Sequence, residues 1–324
     1  MTPRPPEPVC VVTGAMTTTG REHLDRVVQG VLAQWPDHAK FLEQSLAGYS
    51  ADELALLDGL AGRVLRLMGD EAGDYYASYR WMCGEINKET YFFKKHGRYR
   101  LSTFEEADRE VYSNGPFMKK YVEGILASQV LWKNHSSAFL YFRQDFLPRL
   151  PEGFRYLEIG PGHGLFLSMA AEDPRCARAV AWDVSEESLR QTRAAIAAMG
   201  VAARVELDRQ DIHAPTRAPE TDGTFDGVAL CEVLEHLEKP REALAALGAF
   251  LAPEGLLYVN VPLNSPAPDH IFLLRDEGEV RALFEVAGLE IVDLKLVPMT
   301  GYDLARAQAQ NLTVSCFVLA RRGR

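Results

Sequence analysis

The sequence of 324 residues has little cysteine: five residues, at positions 10, 83, 176, 231 and 316, with no C-x-x-C pair among them. An odd, scattered set argues against a disulfide framework and fits free thiols in a reducing compartment. No apolar run approaches the length of a membrane span, and Val9–Val12 is too short for a signal-peptide core. There is no internal repeat. Basic charge is also scarce: 35 Lys and Arg against 45 Asp and Glu leave a net charge of −10. Phosphate binding needs a basic footprint, so this balance disfavours nucleic acid as the main partner. Together these absences describe a soluble, cytoplasmic protein. What is present is apolar content, 47% of the residues, ample for one large core or two ordinary ones.

The pattern divides the chain at about residue 150. Residues 1–20 are rich in Pro and Thr and read as a loose arm, with Val9–Val12 as a candidate short strand. From His23 the apolar period is helical: Leu24, Val27, Val28, Val31 and Leu32 share one face, as do Leu57, Leu60, Val64, Leu67 and Met68. Pro116 follows the turn Ser113-Asn114-Gly115 and opens another helix, which carries Tyr121, Ile125, Leu126 and Trp132. This half, residues 1–150, is mainly helical and dense in aromatics. Most of these are expected in the core, with a homodimer interface as a further use. Pro148–Gly153 is the expected linker into residues 151–324, where short apolar strands alternate with helices, the signature of a parallel sheet covered on both faces.

The second half opens with its most informative stretch, Tyr156-Leu157-Glu158-Ile159-Gly160-Pro161-Gly162-His163-Gly164. It reads as a strand ending in an acid, a glycine turn, and a helix beginning near Gly164. Glycines at alternate positions let the chain turn sharply and let a ligand lie against the main chain, where the helix start offers free N–H groups. Leu165 stands where a dinucleotide fingerprint has its third glycine. A second strand, Ala179–Val184, carries Asp183 near its end, at the offset where doubly wound folds bind ribose hydroxyls. Strands follow at Arg204–Leu207, Phe225–Cys231 and within Glu254–Val261, and two more at Leu289–Val297 and Leu312–Leu319.

This ordered set resembles the class I S-adenosylmethionine (SAM)-dependent methyltransferases over about residues 151–324. The resemblance implies an α/β fold: a Rossmann-like seven-stranded sheet, mostly parallel, ending in a reversed hairpin. Small-molecule members also carry a mainly α-helical N-terminal cap. It implies SAM as cofactor, held by Glu158, the turn at Gly160, Gly162 and Gly164, Asp183 with Val184, Asp211 with Ile212, and Glu232. The cap would close a dry site over a small-molecule substrate, with Tyr112, Tyr121 and His135 as candidates to reach it.

A second constellation follows the fourth strand. In Cys231-Glu232-Val233-Leu234-Glu235-His236 a helix would put Glu232, Glu235 and His236 on one face. His270 follows the fifth strand, the fourth strand's expected neighbour. Two carboxylates and two imidazoles make a candidate divalent metal site, with Mg²⁺ first and Mn²⁺, Fe or Zn²⁺ as alternatives. The E-x-x-E-H stretch resembles that of ubiquinone-pathway O-methyltransferases and of small-RNA 2′-O-methyltransferases. His270 and His236 are also the candidate catalytic bases. The expected activity is methyl transfer to a small aromatic phenol or enol, as in natural-product biosynthesis, with or without metal assistance. The rivals are an RNA 2′-O-methyltransferase, an N- or C-methyltransferase without metal, an NAD-dependent oxidoreductase, and a SAM-binding protein without enzymatic activity.

Overall fold

A computed structural model describes residues 19–219 and 223–323. The candidate strand Val9–Val12 and Cys10 lie outside the described residues. Seven strands form one sheet: β1 Phe154–Ile159, β2 Cys176–Asp183, β3 Val205–Arg209, β4 Phe225–Cys231, β5 Leu251–Leu263, β6 Leu289–Pro298 and β7 Val314–Arg322. Their order is β3-β2-β1-β4-β5-β7-β6. All neighbouring pairs are parallel up to β5, and β7 runs antiparallel to both β5 and β6. The reversed hairpin expected from the sequence is present. The strand order reverses between β1 and β4, which makes their C-terminal ends a natural ligand crevice.

The helices before the sheet are α1 Glu22–Gln34, α2 Ala39–Leu46, α3 Ala51–Met68, α4 Ala72–His96, α5 Gly115–Leu131 and α6 Lys133–Tyr141. Sequence explains their ends. Ser50 and Glu53 form a reciprocal cap on α3, and Asn114 accepts the Phe117 N–H just before Pro116 opens α5. The apolar faces of α1 and α3 are buried as their spacing requires. The helix expected to carry Trp132 ends there, where the backbone is extended (φ −104°, ψ 128°), and α6 begins at the next residue. A short irregular helical turn, Phe104–Ala107 running into the wider five-residue turn Asp108–Tyr112, lies between α4 and α5.

These helices share a core with one face of the sheet. Leu24, Val64, Tyr79, Phe142, Tyr156 and Phe317 belong to one continuous buried cluster. Its centre is aromatic: Phe142 lies 5.1 Å from Phe146 and 5.4 Å from Tyr258, ring centroid to centroid, in tilted and edge-on pairs. The expected linker is part of the packing, since Leu147 and Leu150 are buried. The other sheet face is covered by α9 Pro240–Phe250 and α10 Glu277–Val286, with a separate cluster around Leu230, Leu247, Phe284 and Val318. Ahead of them in sequence, α7 Leu165–Glu172 follows β1 and α8 Glu186–Ala198 follows β2. Among the described residues no helix is long and apolar enough to cross a membrane.

Candidate active site

The glycine turn leaves β1 with Gly160, Gly162 and Gly164 all in the left-handed region, at φ 64°, 50° and 65°. Two of these glycines have distinct reasons. A Cβ on Gly160 would stand 2.8 Å from Val233 Cγ2, so the close approach of the next loop requires glycine. Nothing lies within 4 Å of a Cβ built on Gly162, which faces open space suited to a ligand. His163 is partly buried, and its Nε2 lies 2.9 Å from the Val122 carbonyl of α5. The ring therefore carries its proton on Nε2 and staples the turn to the cap.

Glu158, one residue before the end of β1, is 2% exposed. Burial pushes its carboxyl up to about 8, partly opposed by a 2.8 Å hydrogen bond donated by the Tyr156 hydroxyl. At the end of β2, Asp183 accepts from the Ser185 N–H at 2.8 Å and from the Ser188 hydroxyl at 2.6 Å, at the start of α8. Val184 beside it is an exposed apolar residue, while Asp211 is exposed and Ile212 buried just after β3. These four positions share the C-terminal edge of neighbouring strands, outside the cavity described next.

Between the cap and the ends of β1, β4 and β5 lies a cavity of about 250 Å³. Met118, Tyr121 and Ile125 of α5 form its apolar wall, and His135 of α6 also reaches it. Glu158, the Gly160–Gly162 backbone, Glu232, Glu235, His236, Asp269 and His270 form the polar end, with no Lys or Arg in the lining. Tyr112 does not line it. Its hydroxyl stops 3.1 Å from His236 Nδ1 and 3.5 Å from Asp269 Oδ2, while Tyr121 donates to Asp269 Oδ1 at 2.9 Å.

The helix expected after β4 is absent. Glu232 has φ 53°, incompatible with a right-handed helix, and only Leu234–His236 form a single tight turn. The left-handed residue is fixed from the neighbouring strand, because the Glu232 N–H donates to the Asn260 carbonyl at 2.8 Å. One ligand atom each from Glu235, His236 and His270 nevertheless fall within 4.8 Å of one another. Glu232 stands outside that group.

Burial, with repulsion from Glu232, pushes the Glu235 carboxyl well up; burial raises Glu232 as well. Of the few buried side-chain oxygens that find no hydrogen-bond partner among the described residues, four converge here: Glu232 Oε1, both Glu235 oxygens and Asn260 Oδ1. Orphaned buried acceptors are costly, about 1–3 kcal/mol each, and rare. Such a cluster of acceptors could hold a cation.

The tautomers of the neighbouring histidines follow from their partners. His270 Nδ1 lies 2.7 Å from the Ser265 carbonyl, and His236 Nδ1 lies 3.2 Å from the Asp269 carbonyl. A carbonyl can only accept, so each ring carries its proton on Nδ1 and keeps a lone pair on Nε2. In His135, Nδ1 donates to Ser128 Oγ at 2.9 Å, because that hydroxyl spends its own proton on the Ile125 carbonyl at 2.7 Å. Burial lowers His135 and His270 to about 4, so both rings are neutral at pH 7.

Sequence reasoning named these ligand candidates but underrated Asp269, and it gave Asn260 no role. No spacing signal marks either residue; both matter through partners far away in the chain.

Known proteins agree with this architecture. A methyltransferase-domain family matches residues 131–294. A ubiquinone biosynthesis O-methyltransferase of Caulobacter is 34% identical over 123 residues, 38% of this chain and 46% of the relative. A Synechococcus protein is 28% identical over 172 residues, 51% of this chain and 40% of that protein. This chain thus spans less than half the length of these relatives. The solved structure of the mitomycin 7-O-methyltransferase MmcR superposes with a TM-score of 0.51 at 16% identity, over 80% of this chain and 74% of that one, and shares the fold. With the glycine turn, the sheet order and the family match all on one chain, this protein belongs to the methyltransferase-domain family and has the fold of the class I SAM-dependent methyltransferases.

Proposed function

We propose that the enzyme methylates an oxygen of a small, neutral aromatic phenol or enol, with a divalent cation held by Glu235, His236 and His270. The observation that carries this is the convergence of four orphaned acceptor oxygens with two imidazoles whose Nε2 lone pairs are free. The O-methyltransferase activity of the ubiquinone-pathway relatives supports an oxygen acceptor. A lining without Lys or Arg suits neither an anionic substrate nor RNA.

Bound SAM supplies a methyl group on a positively charged sulfonium, and a divalent cation lowers the cost of ionising a phenol or enol. The chain's own residues do the rest. Glu158 offers a buried acceptor to the cationic end of SAM, and the Gly160–Gly162 backbone leaves room beside it. Asp183 offers its remaining lone pairs to the ribose hydroxyls. Met118, Tyr121 and Ile125 exclude water and hold an aromatic ring against the polar end. His236 and His270 keep their protons on Nδ1, so Nε2 remains a ligand atom rather than a donor.

The test is turnover of a panel of neutral phenols by enzyme dialysed against EDTA, then reloaded with Mg²⁺ or Mn²⁺. Activity should vanish and return. His236→Ala and His270→Ala should each weaken metal binding and leave SAM affinity largely unchanged. Full turnover in excess EDTA would refute the metal, and would leave His270 or His236 as a simple base.

A further inference from the structure

We infer that the cap is a working part of the cation site: Tyr112 and Asp269 position His236, so that cation binding and docking of residues 99–121 on the sheet edge strengthen each other. This rests on the cation site proposed above. Asp269 is 6% exposed, and both its carboxylate oxygens receive cap phenols, from Tyr121 at 2.9 Å and Tyr112 at 3.5 Å. Its main-chain carbonyl faces His236 Nδ1 at 3.2 Å, and the Tyr112 oxygen stands 3.1 Å from the same nitrogen. One N–H is thus shared between the sheet loop and the cap.

The same cap segment meets the other ligand loop. The Tyr99 hydroxyl accepts the Ser265 N–H at 3.0 Å, and the Ser265 carbonyl holds His270 Nδ1 at 2.7 Å. The Tyr99 ring packs edge-on to the His270 imidazole at 5.7 Å. The Phe104 N–H donates to Glu238 Oε1 at 2.8 Å, just past His236. Tyr112 ends the wide turn Asp108–Tyr112, a form of helix that often marks functional sites.

The coupling follows from imidazole chemistry. A cation on Nε2 draws electron density from the ring and makes Nδ1–H a stronger donor, which tightens its bonds to Tyr112 and to the Asp269 carbonyl. Linkage is reciprocal, so a docked cap raises cation affinity by the factor with which the cation stabilises docking.

The test uses the full chain and Mn²⁺ alone. Mn²⁺ affinity is read by calorimetry, cap docking by amide hydrogen exchange over residues 99–121, and integrity by SAM affinity. In the wild type, Mn²⁺ should slow exchange in that segment. Tyr112→Phe should weaken Mn²⁺ binding about tenfold, remove the Mn²⁺-dependent protection, and keep SAM affinity. Asp269→Asn, similar in size, should do the same. No Mn²⁺ binding to the wild type would overturn the cation site and the coupling with it. Mn²⁺ binding that Tyr112→Phe leaves intact, with exchange indifferent to Mn²⁺, would overturn the coupling alone. Loss of SAM binding together with Mn²⁺ binding in both variants would reduce the two residues to structural supports, and would also overturn it.

Discussion

Replacing Glu235 by methionine should stabilise the metal-free protein. Glu235 is 1% exposed and its carboxyl meets no donor beyond the Glu232 carboxyl beside it, while its main-chain carbonyl already accepts from Ile271 and Phe272 at 2.9 Å. The substitution therefore breaks no hydrogen bond beyond the one between the two acids. It removes a buried group that costs about 1–3 kcal/mol unpaired, and a flexible apolar side chain of similar length fills its space. In EDTA, Glu235→Met should gain about that amount in urea or thermal unfolding.

Saturating Mn²⁺ should reverse the ranking. A ligand at 100 times its dissociation constant stabilises by about 2.7 kcal/mol, and only the wild type retains the full set of ligand atoms. The two stability curves should cross as metal is added. A variant less stable than wild type by more than about 1 kcal/mol in EDTA would refute the reasoning, because it would show that the carboxyl already has a favourable partner.

A Cβ at Gly162 meets no protein atom within 4 Å, so Gly162→Val costs mainly left-handed backbone strain, about 1–2 kcal/mol, yet calorimetry should show SAM affinity reduced at least tenfold. Asp183→Ala should weaken SAM as well; wild-type affinity in both folded variants would displace the site. Residues 151–324 alone would expose Tyr156, Tyr258 and Phe317, so the fragment should aggregate and lack turnover; a soluble, cooperatively melting, fully active fragment would remove the cap from the mechanism. His135 protonates near 6.5 when unfolded and only near 4 when folded, so the unfolded state binds more protons in between and stability falls as pH drops through that window. The loss is at most about 3 kcal/mol. Glu158, raised instead, acts with the opposite sign, so the measurement is the difference in urea midpoint between wild type and His135→Gln at pH 7 and 4.5. Equal losses in both would contradict the buried neutral state.

The sheet was legible because its signals are local. Each strand carries its own apolar run, the glycine turn declares its conformation in its own residues, and the α1 and α3 faces repeat at helical spacing. The turn at Leu234–His236 was not legible, because Glu232 is held left-handed by Asn260 on another strand. The gathering of Glu235, His236 and His270 was legible in outline, since sheet order alone brings the ends of β4 and β5 together. Asp269 as a meeting point was not, because its phenol partners lie 148 and 157 positions away in the sequence. Tyr112 was expected to reach the substrate, but nothing in its neighbourhood foretold that it would meet His236 rather than the cavity.

The shared core also sets an order of events during synthesis. The helices of residues 22–141 are made before any strand, yet the face they need belongs to β1, β4, β5 and β7. Strand β7 slots between β5 and β6, and its Ser315 accepts from Asn134 of α6 at 3.1 Å while Phe317 packs 5.6 Å from Tyr141. At roughly 5–20 residues per second, the cap waits on the order of 10–30 s for its partner surface. During that interval its apolar faces are open, and a chaperone or the ribosome itself is the natural place to hold them.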